Sequence, residues 1–262
     1  MKSTQLLPLI LAAAAISGCA SYGTVHNAAA SPAEGVEGQY SLKANEQTTQ
    51  RSDDISMLVA FSGGGTRAAA LAYGVLLELR DTGFPAGGSD RRMLDEMDGI
   101  SSVSGGSFTS AYYGIFREQL FDDFEDVFLR QGVQRALIRQ LFNPAHWWRS
   151  MFSGFDRTEM AIDYYDRHIF KGATFADMER QGPPFIEINA TDLTSGQRFT
   201  FTQERFDLIC SDLSSFPVAR AVTASSAVPV AFPTITLKNN ADQCDISGTR
   251  EWQWVKQTDM RD

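Results

Sequence analysis

From residue 53 onward the apolar positions fall into strand-length runs alternating with helix-length periodic stretches. The unbroken run Met57-Leu58-Val59-Ala60-Phe61 has the length of a buried strand, and the small residues after it predict a closely packed helix over 67–81. Gly83 and Pro85-Ala86-Gly87-Gly88 signal a turn beyond that helix. A second strand, glycine turn and helix follow over 99–116, with the strand running into Val103, glycines at 105 and 106, and a helix that carries Ala111, Tyr112 and Ile115. Residues 117–180 are helical in pattern and rich in aromatics, among them Phe124, Phe128, Trp147, Trp148, Tyr165 and Phe170, with a break at Asn143-Pro144. Residues 185–190 then read as a strand, 193–197 as a turn capped by Asp192, and 198–202 as a returning strand. A small-residue helix over 219–228 ends at Pro229 and Pro233. Strands alternating with helices imply an α/β sheet with helices on both faces, and no internal repeat is visible.

The first residues follow a different pattern. Met1-Lys2 is a basic start, residues 6–16 are apolar, and Ser17-Gly18 lead into Cys19. That run is shorter than the roughly 20 residues of a spanning helix, so residues 1–18 read as a signal peptide. Ile16-Ser17-Gly18-Cys19 resembles a bacterial lipobox, which implies a lipidated Cys19 as first mature residue, held to a membrane by ~0.8 kcal/mol per buried methylene. Ala20, in place of an aspartate, points by lipoprotein convention to the outer membrane, facing the periplasm. A soluble secreted protein cleaved nearby is the alternative. Residues 19–52 hold few large apolar side chains and read as a flexible tether with a solvated His26, leaving 53–262 as one folded domain.

With 262 residues, 43% of them hydrophobic, the chain is long enough for a full core. Its net charge of -9 and the absence of any Lys/Arg run leave no footprint for a phosphate backbone, so nucleic acid is not an expected partner. Setting Cys19 aside, Cys210 and Cys244 remain, either as a disulfide or as two buried thiols.

Candidate chemistry begins with FSGGGTRAAALAYG, residues 61–74, where three glycines leave consecutive backbone amides bare between a strand and a helix. Such a loop can cradle a phosphate or an oxyanion. The dinucleotide pattern fits poorly, because Asp81 closes a helix where a ribose-binding acid should close a strand. A Walker motif is excluded, since no Gly-Lys-Ser/Thr follows the glycines. The oxyanion reading gains from Ser102-Val103-Ser104-Gly105-Gly106, a G-x-S-x-G elbow whose first glycine is Ser102. There the strained turn lifts the Ser104 hydroxyl out of the sheet, and the helix start points free amides at a reacting carbonyl. Taken alone, Ser104 can equally be a plain helix N-cap.

Together the two turns resemble the patatin-like phospholipase family, specifically its bacterial lipoprotein members. The residues that carry the likeness are Gly63-Gly64-Gly65-Thr66-Arg67, Ser102 to Gly106, and Ala221-Val222-Thr223-Ala224-Ser225-Ser226-Ala227-Val228-Pro229, with coverage over about 55–237. The resemblance implies a three-layer sandwich with a central, mostly parallel sheet flanked by helices. It also implies a lipid or acyl-ester substrate, no metal or other cofactor, and a Ser-Asp dyad without histidine. Carried over, Ser104 is the nucleophile and the amides of Gly63, Gly64 and Gly65 form the oxyanion hole. Arg67 either locks the loop or is a surface helix charge. His146 and His168 follow no strand, as a hydrolase triad would require, and read as structural.

The likeness fails at one place. The family's aspartate stands in an Asp-Gly-Gly or Asp-Gly-Ala turn after the small-residue helix, and residues 230–262 contain none. Asp98-Gly99, the one Asp-Gly pair in the chain, precedes the elbow. The expectation is a fold incomplete at its C-terminus, or a diverged protein that binds acyl groups without hydrolysing them. The aromatic stretch 117–180 is either a lid for acyl chains or the core of packed helices.

Overall fold

The computed structural model describes residues 27–30, 40–41, 55–86, 89–131, 157–227, 234–242 and 244. In chain order the elements are β1 Ala28–Ala29, β2 Met57–Phe61, α1 Thr66–Asp81, β3 Gly83–Ala86, β4 Ser89–Arg92, β5 Met97–Val103, α2 Gly105–Phe116 and α3 Gln119–Phe124. They continue with α4 Arg157–Tyr165, α5 Phe175–Arg180, β6 Phe185–Thr191, β7 Arg198–Thr200, α6 Gln203–Asp207, β8 Ser211–Asp212 and α7 Val218–Ser226.

The central sheet has the order β2-β5-β6-β7, with parallel pairs β2/β5 and β5/β6 and an antiparallel edge β6/β7. The mostly parallel α/β sheet flanked by helices that the sequence implies is therefore present. Parallel neighbours need crossover connections, and α1 and α2 supply them in two consecutive β-α units. The register Phe61↔Ser102 and Val103↔Asn189 brings the C-terminal ends of β2, β5 and β6 to one edge. That edge of an open α/β sheet is where a site is expected.

Packing explains the composition of α2. Gly105, Gly106 and every residue from Ser107 to Ile115 are buried, so the helix carries glycine, small hydroxyl and apolar side chains that fit between sheet and neighbouring helices. A β-carbon on Gly114 would lie 2.7 Å from Ile186 Cγ1, which places the helix hard against β6. Around it Phe108, Phe124, Phe128, Tyr165 and Phe170 are buried, with Phe108 stacked on Phe128 at 4.4 Å and edge-on to Tyr165 at 4.9 Å. For Phe124, Phe128, Tyr165 and Phe170 the packed-core reading of the stretch 117–180 holds. Asn143-Pro144, His146, Trp147 and Trp148 lie outside the described residues.

Two pieces of the span read as a tether are docked on the domain. Ala28–Ala29 pairs antiparallel with Ser211–Asp212, and Tyr40 is buried against Phe175 and Phe185. The Tyr40 hydroxyl donates to Ile186 O at 2.7 Å and accepts from Ile186 N at 3.0 Å. Composition does not reveal this docking, because one aromatic ring and one strand pair are enough to anchor a segment poor in apolar residues. The lipidation residue Cys19 and His26 lie outside the described residues. Among those described, no helix is long and apolar enough to cross a membrane.

Of the two alternatives for the cysteines, the bridge is formed: Cys210 and Cys244 are disulfide-bonded, with Cα atoms 6.0 Å apart. Asp192 caps its turn as expected, accepting from Thr194 N at 2.9 Å and Ser195 Oγ at 2.7 Å. The Ser195 hydroxyl, followed by the Thr194 amide, holds the Asp192 carboxyl below the usual carboxylate range.

Candidate active site

Ser104 stands between β5 and α2 with φ 53° and ψ -119°, a left-handed, strained conformation that a side chain-bearing residue seldom adopts. Small neighbours make this turn possible. A β-carbon on Gly106 would sit 2.7 Å from Phe61 Cβ and 2.9 Å from Ser62 O, and one on Gly105 would collide with the backbone of Gly65. The elbow and the glycine loop are thus packed backbone to backbone. A side chain on Gly63 would press on the nucleophile position, with its β-carbon 3.3 Å from Ser104 Cβ and 3.9 Å from Ser104 Oγ.

The structure therefore brings Gly63, Gly64, Gly65 and Ser104 together, although they lie on separate strand–helix junctions. Gly64 and Gly65 have φ of 143° and 65°, which suits glycine and turns the loop over the start of α2. No described residue accepts a hydrogen bond from the amides of Gly63, Gly64 or Gly65. Amides that no described residue engages, beside a lifted hydroxyl, make a geometry suited to a developing oxyanion. Arg67 is exposed on the first turn of α1 and is hydrogen-bonded to no described residue, as a surface helix charge would be.

Sequence reasoning missed the polar shell around the elbow. Ser104 N donates to Ser225 Oγ at 2.8 Å, Ser225 Oγ donates to Asn189 O at 2.6 Å, and Ser107 Oγ lies 3.1 Å from Ser225 Oγ. Ser102, in place of the motif's first glycine, is buried; its hydroxyl accepts from Ser110 Oγ at 2.6 Å and donates to Glu187 O at 3.2 Å. A serine is tolerated there because its polar atom is satisfied.

Bases are less in evidence. Asp98 lies near the start of β5, where its carboxylate accepts from Met57 N at 2.6 Å and Ser56 Oγ at 2.8 Å. That is about 20 Å from Ser104 at the rise of an extended strand, so Asp98-Gly99 is not a dyad partner. His168 is exposed and stacked on Tyr164 at 4.6 Å, which is a structural placement. Among the described residues no carboxylate is hydrogen-bonded to Ser104.

The Patatin-like phospholipase family profile matches residues 59–249, which spans the glycine loop, the elbow and α7. The chain belongs to the patatin-like phospholipase family. No curated protein and no solved structure was found to match it. Membership supports lipid acyl hydrolysis as the class of activity and lipids as the class of substrate for this patatin-like domain.

Proposed function

We propose that the chain is a serine lipid acyl hydrolase in which Ser104 is the nucleophile and the Gly63–65 amides are the oxyanion hole. The observation that carries this reading is the Ser104 turn itself, strained at φ 53° and faced at close range by Gly63. Ser104 Oγ bonds to the ester carbonyl carbon, and the carbonyl electron pair moves to oxygen, where the loop amides receive it. Collapse of the tetrahedral species breaks the ester C–O bond and releases the alcohol with the serine proton. Water then cleaves the acyl-serine to free acid. One oxyanion donor is worth about 2.7–4 kcal/mol of barrier. The family's proton acceptor is an aspartate, completing a Ser-Asp dyad, and no Asp-Gly turn of this chain matches its position.

The setting proposed is a bacterial envelope membrane, reached through a lipid on Cys19, with the domain facing the periplasm. The lipobox-like sequence and the Cys210–Cys244 bridge, which suits an oxidising compartment, support it. A second reading, a lipid-binding or assembly lipoprotein without turnover, is favoured by the lack of a carboxylate on Ser104 among the described residues.

Labelling of the purified full chain with a fluorophosphonate probe separates the two. The hydrolase reading expects labelling that Ser104→Ala abolishes without changing the melting temperature. Equal labelling of that variant removes the nucleophile assignment, and an unlabelled, folded wild type leaves the binding reading.

A further inference from the structure

We propose that Ser225, near the end of α7, is a positioning residue that holds the Ser104 elbow in its reactive geometry; this rests on the hydrolase reading above. Three hydroxyl residues close that helix, and two of them do the ordinary thing: Thr223 Oγ1 donates to Ala219 O at 2.7 Å and Ser226 Oγ donates to Val222 O at 2.8 Å. Ser225 departs from this pattern. Its hydroxyl leaves its own helix, accepts the amide of Ser104 at 2.8 Å and donates to Asn189 O at 2.6 Å.

The donor inventory fixes the rest. A serine hydroxyl has one proton and two acceptor sites. Its proton goes to Asn189 O, so the 3.1 Å contact with Ser107 Oγ is a bond donated by Ser107. Ser225 is then fully used: one bond given to β6, two received from the elbow and from the first turn of α2. It ties the end of β6 to the residue that carries the nucleophile. Because the Ser104 amide is committed to Ser225, it does not face the substrate, and the donors left to meet an oxyanion are those of the glycine loop and the start of α2.

The support is itself rigid. Arg220, five residues back on α7, makes a bidentate pair with Glu159 of α4, both bonds at 2.8 Å and the guanidinium buried. Asn189 is pinned as well, its Oδ1 accepting from Thr200 Oγ1 at 2.9 Å and its Nδ2 donating to Ser101 Oγ at 3.0 Å and Ser102 O at 3.2 Å. A strained φ/ψ persists only where its surroundings over-determine it. Ser225 is the side chain that supplies this constraint to the Ser104 backbone.

The test measures fluorophosphonate labelling of the full chain as a maximal rate and a half-saturating probe concentration. Ser225→Ala should slow the maximal rate about 10- to 100-fold, the size of effect seen when a supporting partner of a reacting group is lost, and leave the half-saturating concentration unchanged. Ser225→Thr, which keeps the hydroxyl, should recover most of the rate. Ser226→Ala, which loses only a bond within the helix, should label like the wild type. Labelling of S225A at the rate of S226A overturns the assignment. If S225A does not fold, Ser225→Cys carries the comparison, and a wild-type rate in that variant overturns it too. Failure of the two readings is distinguishable: an unlabelled wild type removes the hydrolase reading and the positioning role with it. Labelling that depends on Ser104 and ignores Ser225 removes the positioning role alone.

Discussion

At the scale of single residues, the site is built from positions where a side chain would not fit. Gly105 is the sharpest case, because a β-carbon there would overlap the Gly65 backbone, which cannot move aside as the end of a flexible side chain could. Gly105→Ala should therefore push the glycine loop away from the elbow, destabilise the fold by about 1–3 kcal/mol or more, and reduce probe labelling at the same time. A melting curve and a labelling rate on one sample check both effects, and an unchanged melting temperature would mean that the loop and the elbow are not in contact. Such positions are legible in a sequence: Gly63, Gly64, Gly65, Ser104, Gly105 and Gly106 announce themselves because each turn is local. Ser225 does not. Its bond to Ser104 spans 121 positions, and a serine in a small-residue helix looks the same whether it bonds back to its own helix or across to an elbow. Only the fold separates it from Ser226.

At the scale of elements, periodicity finds what is long or bounded by glycine. The run 57–61 is β2 with the bounds expected, and α1, β5, α2, β6 and α7 differ from expectation by a residue or two at their ends. The β3/β4 pair looks like a turn in the sequence, since Gly83, Pro85, Gly87 and Gly88 all signal breaks; Pro85 is tolerated because the two strands form a sheet of their own with open edges. Tyr40 was hidden by its neighbours. β7 pairs with β6 only at residues 189–191, and short of that pairing the Tyr40 hydroxyl serves both the N–H and the C=O of Ile186, as a strand partner would. Burial pushes the Tyr40 phenol well above its ordinary value, so it stays neutral and able to donate. Tyr40→Phe keeps the ring and strands two buried backbone groups, which should cost about 1–3 kcal/mol. Thermal or urea unfolding of the variant measures this, and a loss near zero would mean that water replaces the hydroxyl at that edge.

At the scale of the molecule, the connection least legible in sequence is the one that closes the chain on itself. Two cysteines separated by 34 positions define no framework, and burial as free thiols would have satisfied the same composition. In the fold, Cys210 follows α6 and Cys244 follows the segment beyond α7, so the bridge encloses β8 and the whole of α7, including Ser225. Cross-linking removes conformations from the unfolded chain in proportion to the logarithm of the loop, about 3–4 kcal/mol for a loop of this size on the chain-entropy account. In a domain this large, that corresponds to roughly 6–16 °C in melting temperature. A reducing agent should lower the melting temperature of the wild type to that of the Cys210→Ser/Cys244→Ser double variant, and should leave the double variant where it is. The effect on the site should follow more weakly, because Ser225 is also held through the Arg220–Glu159 pair, which reduction does not touch. Probe labelling of the folded, reduced protein well below its melting point should then remain close to that of the oxidised form. A labelling rate that collapsed on reduction while the melting temperature stayed put would mean that the bridge, and not the ion pair, sets the position of α7 against the elbow.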